Sequence, residues 1–130
     1  MSRELTSHKV NGLNEAIQIT VLDEPGQGNA CHVYGLALVA GKPDDSDDDR
    51  ETLQTLIQFQ NGPIQEVGFN GWSGEALLAI VEDRLLGFQS GQYACRENAV
   101  ALTKLQECMM WLQKRTMDRM RRVVEGTHQK

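Results

Sequence analysis

Thirty consecutive residues, 95–124, contain neither proline nor glycine, and within them Leu102, Leu105, Met109 and Leu112 recur at steps of three, four and three. That spacing is one face of an α-helix. At 1.5 Å per residue such a helix runs about 45 Å, longer than the roughly 35 Å across a compact domain of this chain length. A helix that outruns its own domain completes its packing on another chain, so the stretch predicts an oligomer, at least a dimer. Met109, Met110, Met117 and Met120 read as adaptable packing in a helix interface.

Charge divides along the same line. Residues 84–130 carry nine Lys and Arg against four acids, a balance of +5, while residues 1–83 carry four bases against fourteen acids, a balance of −10. The formal net charge of −5 conceals two halves of opposite sign. Within the long helix Arg115, Arg119 and Arg122 stand at i, i+4 and i+7 and line up on one side.

A chain of 130 residues suits one domain with a real core, here a β-rich part over 15–68 and a helical hairpin over 73–124. The N-terminus has no apolar h-region of signal-peptide type, and the most apolar run, 31–40, is too short and too glycine-interrupted to span a bilayer. Cys31, Cys95 and Cys108 are odd in number and lack CxxC spacing, which indicates neither a disulfide framework nor a zinc site. The expectation is a soluble cytoplasmic protein with no membrane partner.

In chain order, residues 1–12 are polar and expected to be loosely ordered. Ile17, Ile19 and Val21 alternate with Gln18 and Thr20 in a strand pattern that ends at the turn signal DEPGQGN. A second strand over 32–40 is apolar on both faces, which places it inside the sheet or at an interface. The run GKPDDSDDDRE reads as a solvated acidic loop; a calcium loop needs another ligand spacing, with Gly at its sixth position and a terminal Glu in register. Residues 53–60 alternate again, and with 64–67 after the NGP turn they read as a hairpin closing a small antiparallel sheet. Ser73 is placed as a helix N-cap with Glu75 in the first turn, Leu77, Val81 and Leu85 share a face, and Gly87 supplies the stop. A loop over 88–93 then leads to the long helix. The order is α+β, a small N-terminal antiparallel sheet followed by a two-helix hairpin.

The residues offer binding groups rather than a catalytic constellation. No His is positioned by sequence beside a Cys or Ser nucleophile, and no phosphate-binding Gly loop or HExxH is present. Guanidinium groups match phosphate oxygens bidentately and stack on bases, an aromatic such as Phe88 supplies a stacking face, and the Asn98 amide donates and accepts toward a base edge or ribose hydroxyl. Each also has a plainer reading: Phe88 as a core cap, Asn98 as a helix cap, the arginines as a solvated face or as intersubunit ion pairs. Trp72 and Trp111 suit core or interface anchors better than ligand platforms. A basic-helix nucleic-acid-binding module is the alternative reading of the cationic stretch.

The run CRENAVALTKLQECMMWLQKRTMDRMRRVVEGTH resembles the C-terminal helical signature of two related phage anti-defence sponge families, the anti-CBASS cyclic-nucleotide sponges and the Thoeris anti-defence sponges. The shared pieces are the CREN helix start, the TKL step, the WL pair before KRT, the DR…RR spacing and the closing VEGTH. The β-rich half, followed by FQNGPIQEVGFNG and EALLAIVEDRLLGFQ, is similar to the Thoeris family over most of the chain.

That resemblance implies a non-enzymatic protein, without cofactor, acting in the infected bacterial host. Its ligand is a TIR-generated cyclic ADP-ribose isomer, held intact in a pocket shared between protomers of a homo-oligomer, dimer or hexamer. Cyclic di- or trinucleotides of CBASS form a second implied ligand class, bound at separate sites. By motif position the implied ligand contacts are Phe88, Asn98 in CREN, and Arg115 and Arg119 in KRTMDR; Arg122 extends the same helical face.

Overall fold

A computed structural model describes residues 2–122. The α+β order holds: strands fill the first part of the chain and helices the second, in two compact units, Met1–Asn61 and Gly62–Lys130. Val123, Val124 and the VEGTH motif lie outside the described residues.

The first unit is a four-stranded antiparallel sheet in the order β1 (Arg3–Leu5), β2 (Gln18–Val21), β3 (Val33–Ala40) and β4 (Glu51–Gln58). The alternation of Ile19 and Val21 with polar neighbours does what such a pattern should, putting Ile19 opposite Leu5 and Leu36, and Val21 opposite Tyr34. β3 is interior, as its apolar content on both faces predicts. Val21 is 1% exposed and is the only fully buried apolar residue among those described. Beside it Tyr34 meets Phe59 edge to face, with ring centroids 5.7 Å apart.

Residues 2–12 are more ordered than their polarity suggests. Arg3–Leu5 pairs with β2, and a short helix α1 (Gly12–Ala16) begins at Asn11, whose side chain accepts from the Asn14 N–H at 3.1 Å. His8 Nε2 donates to the Ile17 carbonyl at 2.7 Å. Backbone pairing overrode composition here, because an unpaired β2 edge offers hydrogen bonds to any adjacent chain.

The turn before β3 is tied by the Asp23 carboxylate, which accepts from the backbone N–H groups of His32 at 2.9 Å and Val33 at 3.1 Å. Loss of hydration raises the Asp23 pKa, but the bonds from Val33 and His32 and the nearby His32 charge outweigh it and leave it below 3.8. Gly26 is required at this turn, since a Cβ there would stand 2.8 Å from His32 Cε1. The acidic run is an exposed loop, as expected. It is also a built one: Arg50 donates to the carbonyls of Asp45 at 3.2 Å and Pro43 at 3.1 Å.

In the second unit residues 64–67 are not a strand. They form a helical turn, α2 (Ile64–Val67), and β4 pairs with β3 instead. Ile64 and Val67 are apolar three apart, which is helical spacing. Pro63 caps the turn, and Gly62 and Gly68, at φ 98° and 73°, bend the chain in and out of it.

Helix α3 (Gly74–Gln89) starts where expected, with Ser73 Oγ accepting from the Ala76 N–H at 3.0 Å and Glu75 in the first turn. Its end is different. Gly87 stays helical and Ser90 is the C-cap, so Phe88 belongs to the last helical turn rather than to a loop. Lacking a left-handed φ, Gly87 cannot terminate the helix by the expected route. Helix α4 (Arg96–Arg121) follows, capped by Cys95, whose Sγ accepts from the Asn98 N–H.

The two helices are in contact, and Asn98, Leu102, Leu105, Met109, Leu112, Thr116 and Arg119 form one half-buried stripe along α4. The predicted apolar face of α4 is therefore the one used. On α3 the expected face is partly right: Leu77 and Leu85 are half-covered, as are Leu78 and Glu82, while Val81 is exposed. This helix is apolar nearly all round, so periodicity had no single face to select.

Candidate functional site

The residues singled out by sequence fall into two groups. At the turn end of the hairpin stand Phe88, in the last turn of α3, and Asn98, in the first turn of α4. Phe88 is 40% exposed, and the Arg84 guanidinium carbon lies 5.5 Å from its ring centroid, a cation–π contact. Asn98 is half-buried on the α3-facing stripe. The turn between the helices is held by the Gln89 side-chain oxygen, which accepts from the Cys95 N–H at 3.0 Å.

At the other end of α4, Arg115, Arg119 and Arg122 line one open concavity of about 640 Å³, together with Trp111, Lys114 and Asp118. Helical spacing explains the grouping, because Trp111, Arg115, Asp118 and Arg122 follow one another at steps of four, three and four. Residues 111–122 carry five cations and one acid. Asp118 is engaged within the helix: it accepts from Lys114 Nζ at 2.8 Å and lies 3.5 Å from Arg121 Nη1. The Lys114 hydrogen bond, followed against some loss of hydration by the charges of Lys114, Arg121 and Arg122, holds its pKa below 3.8. Arg115 is exposed and makes no ion pair among the described residues.

Such an end can do two things chemically. Clustered guanidinium groups bind phosphate oxygens, and the Trp111 ring, 70% exposed, offers a face on which a base or another guanidinium can stack. Trp111 is not a core anchor of this chain; an interface anchor it can still be. Sequence reasoning also passed over Arg84, although its i, i+4 spacing to Phe88 was there to be read.

The two groups do not meet within one hairpin. Seventeen residues of continuous helix separate Asn98 from Arg115, about 25 Å at 1.5 Å per residue.

A sequence model of the Acb2/Tad1 hairpin domain matches residues 51–117, just over half of the chain. The chain belongs to this family. The match takes in β4, all of the α2–α3 segment and α4 as far as Met117, and with them Phe88, Asn98 and Arg115; Arg119 and Arg122 lie just beyond it. Among curated proteins the chain is similar to Thoeris anti-defense 1 of Bacillus phage SBSphiJ7, at 54% identity over 74 residues, which is 57% of this chain and 52% of that protein. The chain spans about half the length of this relative. The resemblance read from the α4 signature to the phage Thoeris anti-defence family is thus borne out. Among the described residues no helix is long and apolar enough to cross a membrane.

Proposed function

We propose that this chain is a phage anti-Thoeris protein that captures a TIR-generated cyclic ADP-ribose isomer and holds it uncleaved, so that the effector is never activated. The observation that carries the reading is the concavity ringed by Arg115, Arg119 and Arg122, a match for a diphosphate, in a hairpin whose family includes a Thoeris anti-defence protein. Phe88 and Trp111 supply stacking faces for adenine, and the Asn98 amide suits ribose hydroxyls. A nanomolar dissociation constant corresponds to about −12 kcal/mol. Three charge-assisted contacts contribute roughly 5–9 kcal/mol of it, and stacking and burial the remainder.

The separation of the two groups supports a pocket shared between protomers. An antiparallel second hairpin would bring its turn end, with Phe88 and Asn98, beside the arginine end of the first. The surface supports such a partner: α4 outruns α3 by ten residues, about 15 Å. Met117 and Met120 on the overhang, Trp111 just before it, and Ile80 and Leu86 on α3 are exposed. The homo-oligomer, dimer or hexamer, is part of the proposal.

The test is to incubate purified protein with the cyclic ADP-ribose isomer, filter it, and heat the retained fraction while following ligand by mass spectrometry. Intact ligand should vanish from the filtrate and return on heating. Arg115→Glu should weaken capture at least 100-fold, as two lost charge-assisted bonds would, and Phe88→Ala about tenfold, with the oligomer mass unchanged by light scattering. Unchanged capture in both variants would sink the site. Ligand left in the filtrate would turn attention to cyclic di- and trinucleotides in the same assay, and a salt-sensitive shift of DNA in a gel would favour the nucleic-acid reading.

A further inference from the structure

The sheet unit carries a surface apart from the arginine concavity of the hairpin. β4 is an edge strand of eight residues, at the opposite side of the sheet from the three-residue β1. In an antiparallel ladder alternate residues turn their backbone groups toward and away from the neighbour. The Phe59 N–H donates to the His32 carbonyl at 2.7 Å, which fixes the phase: Glu51, Leu53, Thr55 and Ile57 face β3, and Thr52, Gln54 and Leu56 point their N–H and C=O groups outward. None of these three residues has an outward backbone partner among the described residues.

Native edges are usually blunted by lysine, proline, a bulge or a cover. Residues 52–58, TLQTLIQ, contain no charge, no proline and no glycine. Leu53 is 51% exposed and Leu56 65%. Such an edge is a template for another strand, and the side chains favour its own copy.

We infer that β4 pairs antiparallel with β4 of a second copy across a two-fold axis at Gln54. The axis makes Gln54 and its symmetry mate a hydrogen-bonded pair whose amides can bond reciprocally. It sets Thr52 against Leu56 and Leu53 against Thr55 of the partner subunit, and places no like charges opposite each other. Charge selects the direction as well. The acidic loop over 44–51 enters β4 at one end, so an antiparallel pair holds the two loops apart, whereas a parallel pair would set ten Asp side chains together at one end. The contact is isologous and distinct from the hairpin surface that carries the arginines, and two different contacts on one chain let dimers join into a larger closed assembly.

The test is a cysteine cross-link in a chain whose Cys31, Cys95 and Cys108 are replaced by serine. Cα atoms of a hydrogen-bonded antiparallel pair lie about 5.5 Å apart, within disulfide reach. Gln54→Cys should therefore give a covalent dimer under mild oxidation, and Thr55→Cys, which faces Leu53 of the partner subunit rather than its own mate, should not. In the native chain Gln54→Pro removes only an outward N–H, leaves β3 pairing intact, and should reduce the mass seen by light scattering to that of the hairpin dimer. Should the proline variant fail to fold, the cysteine pair decides. A monomeric Gln54→Cys chain, or equal cross-linking at Thr55→Cys, overturns the inference, as does an unchanged mass in a folded Gln54→Pro chain.

Discussion

The sheet unit and the helical unit solve the problem of a small core in opposite ways. The sheet buries Val21 completely and His32 nearly so, and fastens its turns with the Asp23 and Arg50 hydrogen bonds. The hairpin buries no residue of α3 or α4 at all. Its stripe of Leu102, Leu105, Met109 and Leu112 is half-covered, and Ile80, Val81, Leu86, Met110, Trp111, Met117 and Met120 remain exposed. A helix pair so apolar on its outer sides is built for burial that a single chain does not supply. On the reading above, the difference separates a part stabilised by its own contacts from a part whose stability depends on association and on ligand.

That comparison can be broken, and the largest lever is the sheet's one fully buried apolar side chain. Val21→Ala should cost about 2 kcal/mol, seen as earlier hydrogen exchange of β2 and β3 amides. Both tryptophans, Trp72 and Trp111, lie in the second unit, so their fluorescence transition should move much less. Equal shifts in both probes would mean that the units unfold together and the contrast is false.

A smaller effect sharpens the other side. Ser73→Ala removes the acceptor of the Ala76 N–H and should destabilise the hairpin by about 1 kcal/mol. For an associating hairpin the loss should diminish as protein concentration rises, because assembly adds to its stability. Concentration-independent urea midpoints would argue that the hairpin stands alone.

The smallest effect concerns pH. The folded Asp118 pKa is depressed, so its contribution is present above the ordinary value of 3.8 and is lost as the pH falls through the lowered one. Native chain and Asp118→Asn should differ slightly in thermal midpoint at neutral pH and converge on acidification below 3.8. A difference that persists in acid would show that Asp118 acts by packing rather than by charge.

Much of this architecture was legible in local pattern. The five-residue alternation around Ile19, the Ser73 cap and the α4 stripe each have a single structural solution. Errors came where two solutions share one composition. Ile64 and Val67 fit a short strand or a helical turn until Pro63 and the two left-handed glycines decide. Gly87 can stop a helix or ride inside it. The N-terminal residues look disordered until a strand edge is there to pair with. At the site, the i, i+4, i+7 spacing grouped Arg115, Arg119 and Arg122 correctly on one surface, while Trp111 read as a core or interface anchor and its exposure in the single chain leaves only the second, because exposure depends on what packs against it.

By itself, then, the sequence determined the helix too long for its own domain, the opposite charge of the two halves, and the family signature carried by α4, since these depend on residues close together in the chain. The tertiary structure decided that β4 presents an unpaired edge and that the hairpin leaves its outer faces uncovered. Those are properties of pairing and burial, and both are set by long-range packing, which no local pattern encodes.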